Sequence, residues 1–360
     1  VVEFNTKPPL SLMNKGHWNA LLDHGLEKTS DFIIRKSGTN YQSVYGFGTN
    51  QSGKIFTQGT SLGTVVDGSV DQLSYNGGKI FLNLRGIHQI SSPITVLNKP
   101  LVLEGLMPGN FNASSPQGIT HLQLGATDTA IIVAEATGTY FSPLYLRNLW
   151  LDGNRSGRSI EYPLVNLKGR NQGSIIERVY IHSVYGNPLK ISGSNNNNIR
   201  IDKCLMEDYS SRVDLTIGTY LFVSNSYFYG SDISGFYLNA TKAAHFINCS
   251  FENHEYHGLY LNNVTRSSIV GCDFGDNNQD GGSYNDIELS GTCHTITITG
   301  NVAYEAAAIG EPLYNVHIGA SCDYININGN VFRGVKAGGT MIYIESGGNI
   351  NGEYSHNSGW

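Results

Sequence analysis

Apolar residues between positions 145 and 332 come in short bursts, with no 3.6-residue period sustained between them. The recurring unit is an apolar residue, two variable positions, Asn or Cys, one variable position and a large apolar residue. It fits Tyr145/Asn148/Trp150, Ile201/Cys204/Met206, Phe222/Asn225/Tyr227 and Phe246/Cys249/Phe251. It continues through Ile269/Cys272/Phe274, Ile298/Asn301/Ala303 and Ile327/Asn330/Phe332, and Ile175/Arg178/Tyr180 fits with Arg in the polar slot. Successive polar slots are 30, 26, 21, 24, 23, 29 and 29 residues apart. A second alternating run follows each burst, among them "PLKISG", "GFYLNA", "GLYLNN", "DIELSG" and "NVHIGA". Short strands repeated at this spacing predict a solenoid, because one unit cannot bury its apolar face alone and must stack on its neighbours. Equivalent residues then lie about 4.8 Å apart from coil to coil. The constant residues are expected to be core, with the Asn slot forming a ladder from coil to coil.

The first 140 residues differ. "GTVVDGSVDQLSYNGGKIFLNL" predicts a short amphipathic helix with Val65, Val66, Val70 and Leu73 on one face, followed by a strand. An open solenoid end exposes strand edges, so a terminal cap is expected there. The division is a lead-in over 1–60 and a parallel solenoid over 61–360.

The helix followed by "NGGKIFL", the strand "LVLEGL" and the coils "ITITGNVAY" and "ININGNVF" resemble the pectin-lyase-like superfamily over roughly residues 60–350. The lead-in "FIIRKSGTNYQSVYGFGTNQSGKIF" resembles one found ahead of such helices in archaeal and viral proteins. The resemblance implies an all-β, right-handed, single-stranded parallel β-helix of the kind seen in viral tailspikes. It also implies a homotrimer at a virion surface or in the extracellular space. The chain departs from the pattern in carrying "LNLRGIHQI" where a Pro-Gly-Tyr-like stretch is usual. "YHGLYL" holds a His-Gly, but the companion motifs of a polygalacturonase are absent.

Composition narrows the function. A net charge of −6 disfavours a non-specific nucleic-acid binder, and no apolar run is long enough for a membrane span. The N-terminus "VVEFNTKPPLSLMNKGHW" lacks a signal-peptide layout, so a leader has been removed, the chain is a fragment, or export follows another route. The five Cys (Cys204, Cys249, Cys272, Cys293, Cys322) fall on shared repeat positions, which predicts buried thiols rather than disulfides. Six Asn-x-Ser/Thr sequons, at Asn50, Asn112, Asn154, Asn239, Asn248 and Asn263, are near chance in so Asn- and Ser-rich a chain.

Side chains alternate along strands, so the position after each large apolar residue is expected to point outward. In coil order it reads Leu151, Ile181, Glu207, Phe228, Glu252, Gly275, Tyr304, Arg333. The next position reads Asp152, His182, Asp208, Tyr229, Asn253, Asp276, Glu305, Gly334. The outward position of the second strand reads Asn166, Lys190, Thr216, Tyr237, Tyr260, Glu288, His317, Tyr343. Carboxylates and aromatics therefore gather over the middle coils.

Glycoside hydrolysis needs two carboxyl groups, about 5 Å apart for retention or 6.5–9.5 Å for inversion. Glu207 and Glu252, two coils apart, suit an inverting pair, with Asp208 or Asp232 as substitutes. Asp276 and Glu305, one coil apart, suit the retaining distance. Against this, outward carboxylates on a solenoid are usually solvated surface. Tyr229, Tyr237, Glu255, His257 and Tyr260 are the expected glycan-binding residues, and Tyr227 is placed in the core. His254 and His257 read either as surface hydrogen-bonding groups or as an acid–base pair. No metal site and no cofactor are expected. The favoured function is a tailspike-like protein that recognises host surface polysaccharide or glycoprotein glycans, with or without cleaving them. The alternatives are a secreted polysaccharide hydrolase or lyase and a non-catalytic adhesion or structural solenoid. An outward apolar stripe (Leu149, Val179, Leu205, Val302, Val331) is expected to be buried by trimerisation or by the N-terminal segment.

Overall fold

The computed structural model describes residues 30–46, 53–106, 119–125, 129–137, 140–193, 195–304, 311–349 and 354–355. The N-terminal stretch, Glu305 and the sequons at Asn50 and Asn112 lie outside the described residues. The fold is the expected all-β solenoid, and the described residues form two long sheets of 22 and 10 strands. From coil to coil every pairing is parallel and nearly in register. Each middle coil contributes three strands, which define three faces. The coil from Lys242 shows the pattern: Lys242–Ile247 on the first face, Ser250–Glu252 on the second and Leu259–Asn262 on the third. In two earlier coils the first and second faces are covered by single long strands, Leu144–Asp152 and Ile175–Val184.

The bend between the first and second faces explains the polar slot. Asn148, Arg178, Lys203, Asn225, Asn248, Gly271, Gly300 and Gly329 all have φ between 50° and 66°. Left-handed backbone costs least for Gly and is tolerated by Asn, which is why these two dominate the column. The next residue points inward. That column holds Leu149, Val179, Cys204, Ser226, Cys249, Cys272, Asn301 and Asn330, all buried. The asparagines ladder as expected: Asn301 Nδ2 donates to Asn330 Oδ1 at 2.9 Å, and Asn301 Oδ1 accepts the Cys272 N–H at 2.8 Å. All five Cys are free and buried.

The sequence template merged these two columns. In the coils slotted on Asn148, Arg178 and Asn225 it is read one residue early. Leu151, Ile181 and Phe228, expected outside, are therefore fully buried core. Trp150, Tyr180 and Tyr227, expected inside, belong to the outward column, and the strand register places Tyr180, Leu205, Tyr227 and Ser250 on successive rungs. The apolar stripe also fails as drawn, because Leu149 and Val179 are buried while Val302 is exposed. On the third face the residue between Lys190 and Tyr237 is Asp214, not Thr216.

The core is stacked as the repeat demands. Phe228, Phe251 and Phe274 lie face to face on successive rungs, with centroids 5.2 Å apart at each step. Burying each such ring contributes about 2–3 kcal/mol. The N-terminal end is closed by the helix Leu62–Gln72, which packs against the strands Ile55–Gly59 and Ile94–Leu97. Its inward residues Val65, Val66 and Val70 are buried, as the periodicity predicts. Ser61 caps it by accepting the Thr64 N–H, and Lys99 Nζ donates to the carbonyls of Val70 and Leu73 at its C-terminal end. The lead-in strand Phe32–Ser37 pairs antiparallel with Asn40–Tyr45 and parallel with Gly78–Asn83, so it continues the first-face sheet.

Candidate functional site

The second face carries two outward columns of chemistry-bearing side chains. In the outer column Gln123, Asp152, His182, Glu207, Tyr229, Glu252, Gly275 and Tyr304 are paired rung by rung. Glu207 and Glu252 thus flank Tyr229, one rung away on each side. Two rungs put their backbones about 9.6 Å apart. Tyr229 is 37% exposed between them.

Each of these carboxylates accepts a phenol from the inner column of the preceding coil. The Tyr227 hydroxyl donates to Glu252 Oε2 at 2.8 Å, and the Tyr180 hydroxyl donates to Glu207 Oε1. The Ser250 hydroxyl donates to Glu252 Oε1. Burial and the neighbouring carboxylate push both phenols well above the usual tyrosine range, so they remain donors. Gly275 leaves a rung without a side chain, and the Tyr304 ring fills it: a Cβ there would lie 2.9 Å from the Tyr304 Cζ. Burial and Glu252 raise the Tyr304 phenol to about 12.

The candidate residues separate into three groups. Glu207, Tyr229 and Glu252 stand on the second face. Asp208, Asp232 and Glu255 lie at the corner between the second and third faces. There Arg155, from a short turn of helix at Arg155–Gly157, bridges Asp208 Oδ1 at 2.7 Å and also pairs with Asp232. Ser183 Oγ donates to the other Asp208 oxygen at 3.0 Å. Burial, then Asp232 and Asp280, raise the Glu255 carboxyl. Asp208 and Asp232 are therefore occupied by a guanidinium, which fits them poorly as substitutes for the carboxylate pair.

Tyr237 and Tyr260, on a different sheet from Tyr229, form the third group with His257, which precedes the Tyr260 strand and lies 5.2 Å from that ring. Tyr237 and Tyr260 meet edge to face at 5.1 Å, and the Arg212 guanidinium lies 3.8 Å over the Tyr237 ring. His257 Nδ1 accepts the Asn285 N–H at 3.0 Å, and burial lowers its pKa to about 4. His254 is fully buried, accepts the Ser231 N–H at Nδ1 and is held neutral by burial, with a pKa of about 3. The surface role expected of His254 is corrected, because the residue is core; His257 is half-buried with a hydrogen-bonding role, and the two rings make separate backbone contacts.

Sequence reasoning missed the foot of the column. His121, Asp152 and His182 offer ligand atoms that all lie within 4.8 Å of one another. It is the one such group among the described residues. Asp152 and His182 sit in the sequence-level outward column, but His121 precedes the recognisable repeat, so no spacing connects it to them. Burial alone would raise the Asp152 carboxyl. The contacts with His121, the Asn154 N–H, His182 and Gln123 outweigh it and hold the group below its usual range.

A family model for the right handed beta helix region matches residues 164–311. No curated protein matches the chain in sequence. Among solved structures, the chain resembles the A-module of a mannuronan C-5 epimerase from Azotobacter vinelandii, with a TM-score of 0.52 and 13% identity over 83% of this chain and 95% of that one. It also resembles the tailspike protein of an Acinetobacter phage, with a TM-score of 0.53 and 10% identity over 81% of this chain and 58% of that one. An N-terminal fragment of gene product 12 of bacteriophage Phi29 aligns with a TM-score of 0.50 and 10% identity, over 84% of this chain and 63% of that one. At these identities the likeness is one of fold: the chain is a right-handed parallel β-helix.

Proposed function

We propose that the second face binds a surface glycan and hydrolyses it with inversion, in a tailspike-like protein that acts at a virion surface or outside the cell. The observation that carries this reading is the register Glu207–Tyr229–Glu252. A sugar ring stacked on the exposed Tyr229 has a carboxyl group on either side. The two-rung backbone spacing of about 9.6 Å lies just beyond the upper limit, about 9.5 Å, of the carboxyl separation that leaves room for a water opposite the leaving group. One carboxyl protonates the glycosidic oxygen as the bond to the anomeric carbon breaks. The other takes a proton from the water that forms the new bond. Tyr180 and Tyr227 hold the two carboxylates in place with the same geometry, displaced by two coils. Tyr237, Tyr260 and Arg212 on the third face add a second stacking platform where a longer saccharide turns the corner past Asp232, Glu255 and His257.

The tailspike form of the reading draws on the phage proteins that share the fold, and it places three copies around one axis. The test is a glycan array read for both retention and shortened products. Retention with shortened products of inverted anomeric configuration supports the full reading. Retention alone reduces it to a binding module, and neither overturns it.

A further inference from the structure

We propose that His121, Asp152 and His182 form a binding site for a divalent transition-metal cation of the zinc type. Asp152 Oδ2 lies 3.4 Å from His121 Nε2 and 3.7 Å from His182 Nε2. Donors held at about 2.0–2.1 Å from a tetrahedral cation are separated by about 3.4 Å along each edge; the two edges that meet at Asp152 Oδ2 are close to that length, and the ligand atoms of the group all lie within 4.8 Å of one another. They are too far apart for good hydrogen bonds to one another. Both ring nitrogens of His121 and Nε2 of His182 are buried without a hydrogen-bond partner. His121 is only 4% exposed. Buried nitrogens left unpaired destabilise the fold, and a cation would engage the two Nε2 atoms.

The surroundings fix the carboxylate by hydrogen bonds and the two imidazoles by ring stacking. Gln123 Nε2 donates to Asp152 Oδ2 at 2.7 Å, and the Asn154 N–H donates to Oδ1 at 2.7 Å. The Trp150 ring stacks on His121 at 4.8 Å, and Tyr180 stacks on His182 at 5.1 Å. Two imidazoles with one carboxylate select a borderline cation such as Zn²⁺ or Co²⁺ over Ca²⁺ and Mg²⁺, which prefer all-oxygen shells. His182 is the most exposed of the three, with 22% of its side chain accessible against 5% and 8% for the others, so the open fourth position faces solvent on its side. His182 is also the rung next to Glu207. The fourth ligand is therefore water or an oxygen of a saccharide lying along the column.

The experiment uses the whole chain, stripped with a chelator and titrated with Zn²⁺ alone by calorimetry and with Co²⁺ by visible absorption. One equivalent of Zn²⁺ and the intense bands of tetrahedral cobalt are expected. His182→Ala and Asp152→Asn should each weaken binding at least 100-fold, and Gln123→Ala about tenfold. Absence of Zn²⁺ binding by the wild type overturns the proposal, and so does an octahedral cobalt spectrum. Undiminished binding in both folded ligand variants overturns it as well. Because the wild-type stoichiometry and spectrum decide the question themselves, a variant that fails to fold does not protect the idea.

Discussion

The Tyr227 hydroxyl donates to Glu252 Oε2 at 2.8 Å across one rung of the second face, and Tyr180 makes the equivalent bond to Glu207. One local arrangement is thus used twice, two coils apart, with Tyr229 between. Glu207→Gln or Glu252→Gln should lower glycan cleavage at least 100-fold while binding changes only a few-fold, because a general acid or base acts mainly in the transition state. Tyr229→Ala should weaken binding by about two- to tenfold through the lost stacking. Activity assays beside equilibrium binding separate these outcomes. Full activity in both Gln variants removes the carboxylates from the mechanism.

The ladder predicts a stability effect. Asn301 Nδ2 donates to the Ile269 carbonyl at 3.0 Å, and its Oδ1 accepts the Cys272 N–H. Asn301→Ala leaves both backbone groups unpaired in the core, at a cost of about 2–4 kcal/mol. Asn301→Cys should cost less, since the chain itself uses Cys at this position in neighbouring coils. Denaturant midpoints at constant m-value measure both.

Thiol chemistry reports on the same column. All five Cys are buried, and burial pushes the Cys204 thiol up to about 12. A thiol reagent should label none of the five rapidly in the native protein and all five after denaturation.

The pH dependence has a definite sign at His254. Its pKa falls from 6.5 to about 3 on folding, so the unfolded chain binds the extra proton between those values. Its contribution is fully present above pH 6.5 and is lost as the pH falls towards 3. His257, lowered to about 4, acts in the same direction, while Asp286, raised to about 6, opposes both between pH 6 and its ordinary value. The stability advantage of wild type over His254→Leu should therefore shrink by about 1 kcal/mol for each pH unit below 6. A gap that stays constant from pH 7 to 4.5 would count against the buried neutral imidazole.

Trimerisation would use the first face. Tyr220, Phe222 and Ile247 are each at least 40% exposed there, on neighbouring coils. Light scattering should give three times the chain mass for wild type and a monomer for the double substitution Phe222→Asp, Ile247→Asp. A monomeric wild type at micromolar concentration contradicts the trimer.

The repeat of apolar and polar positions determined the solenoid, the parallel stacking, the buried thiols and the capping helix, because each depends on local periodicity and on like residues stacking on like. It also placed Glu207 and Glu252 two rungs apart. What it did not determine is the register within a coil. Asn occurs both as the left-handed bend residue, as at Asn148 and Asn225, and as the inward ladder residue, as at Asn301 and Asn330. The two positions differ by one residue, and a one-residue slip sends every side chain to the opposite face. Only the structure decides which Asn is which, and so brings Tyr180 and Tyr227 out onto the carboxylates and takes Leu151, Ile181 and Phe228 into the core. The His121–Asp152–His182 group is tertiary for a related reason. Its members are about thirty residues apart, on strands whose lengths and loops differ, and only the pairing of Leu144–Asp152 with strands on either side sets them together.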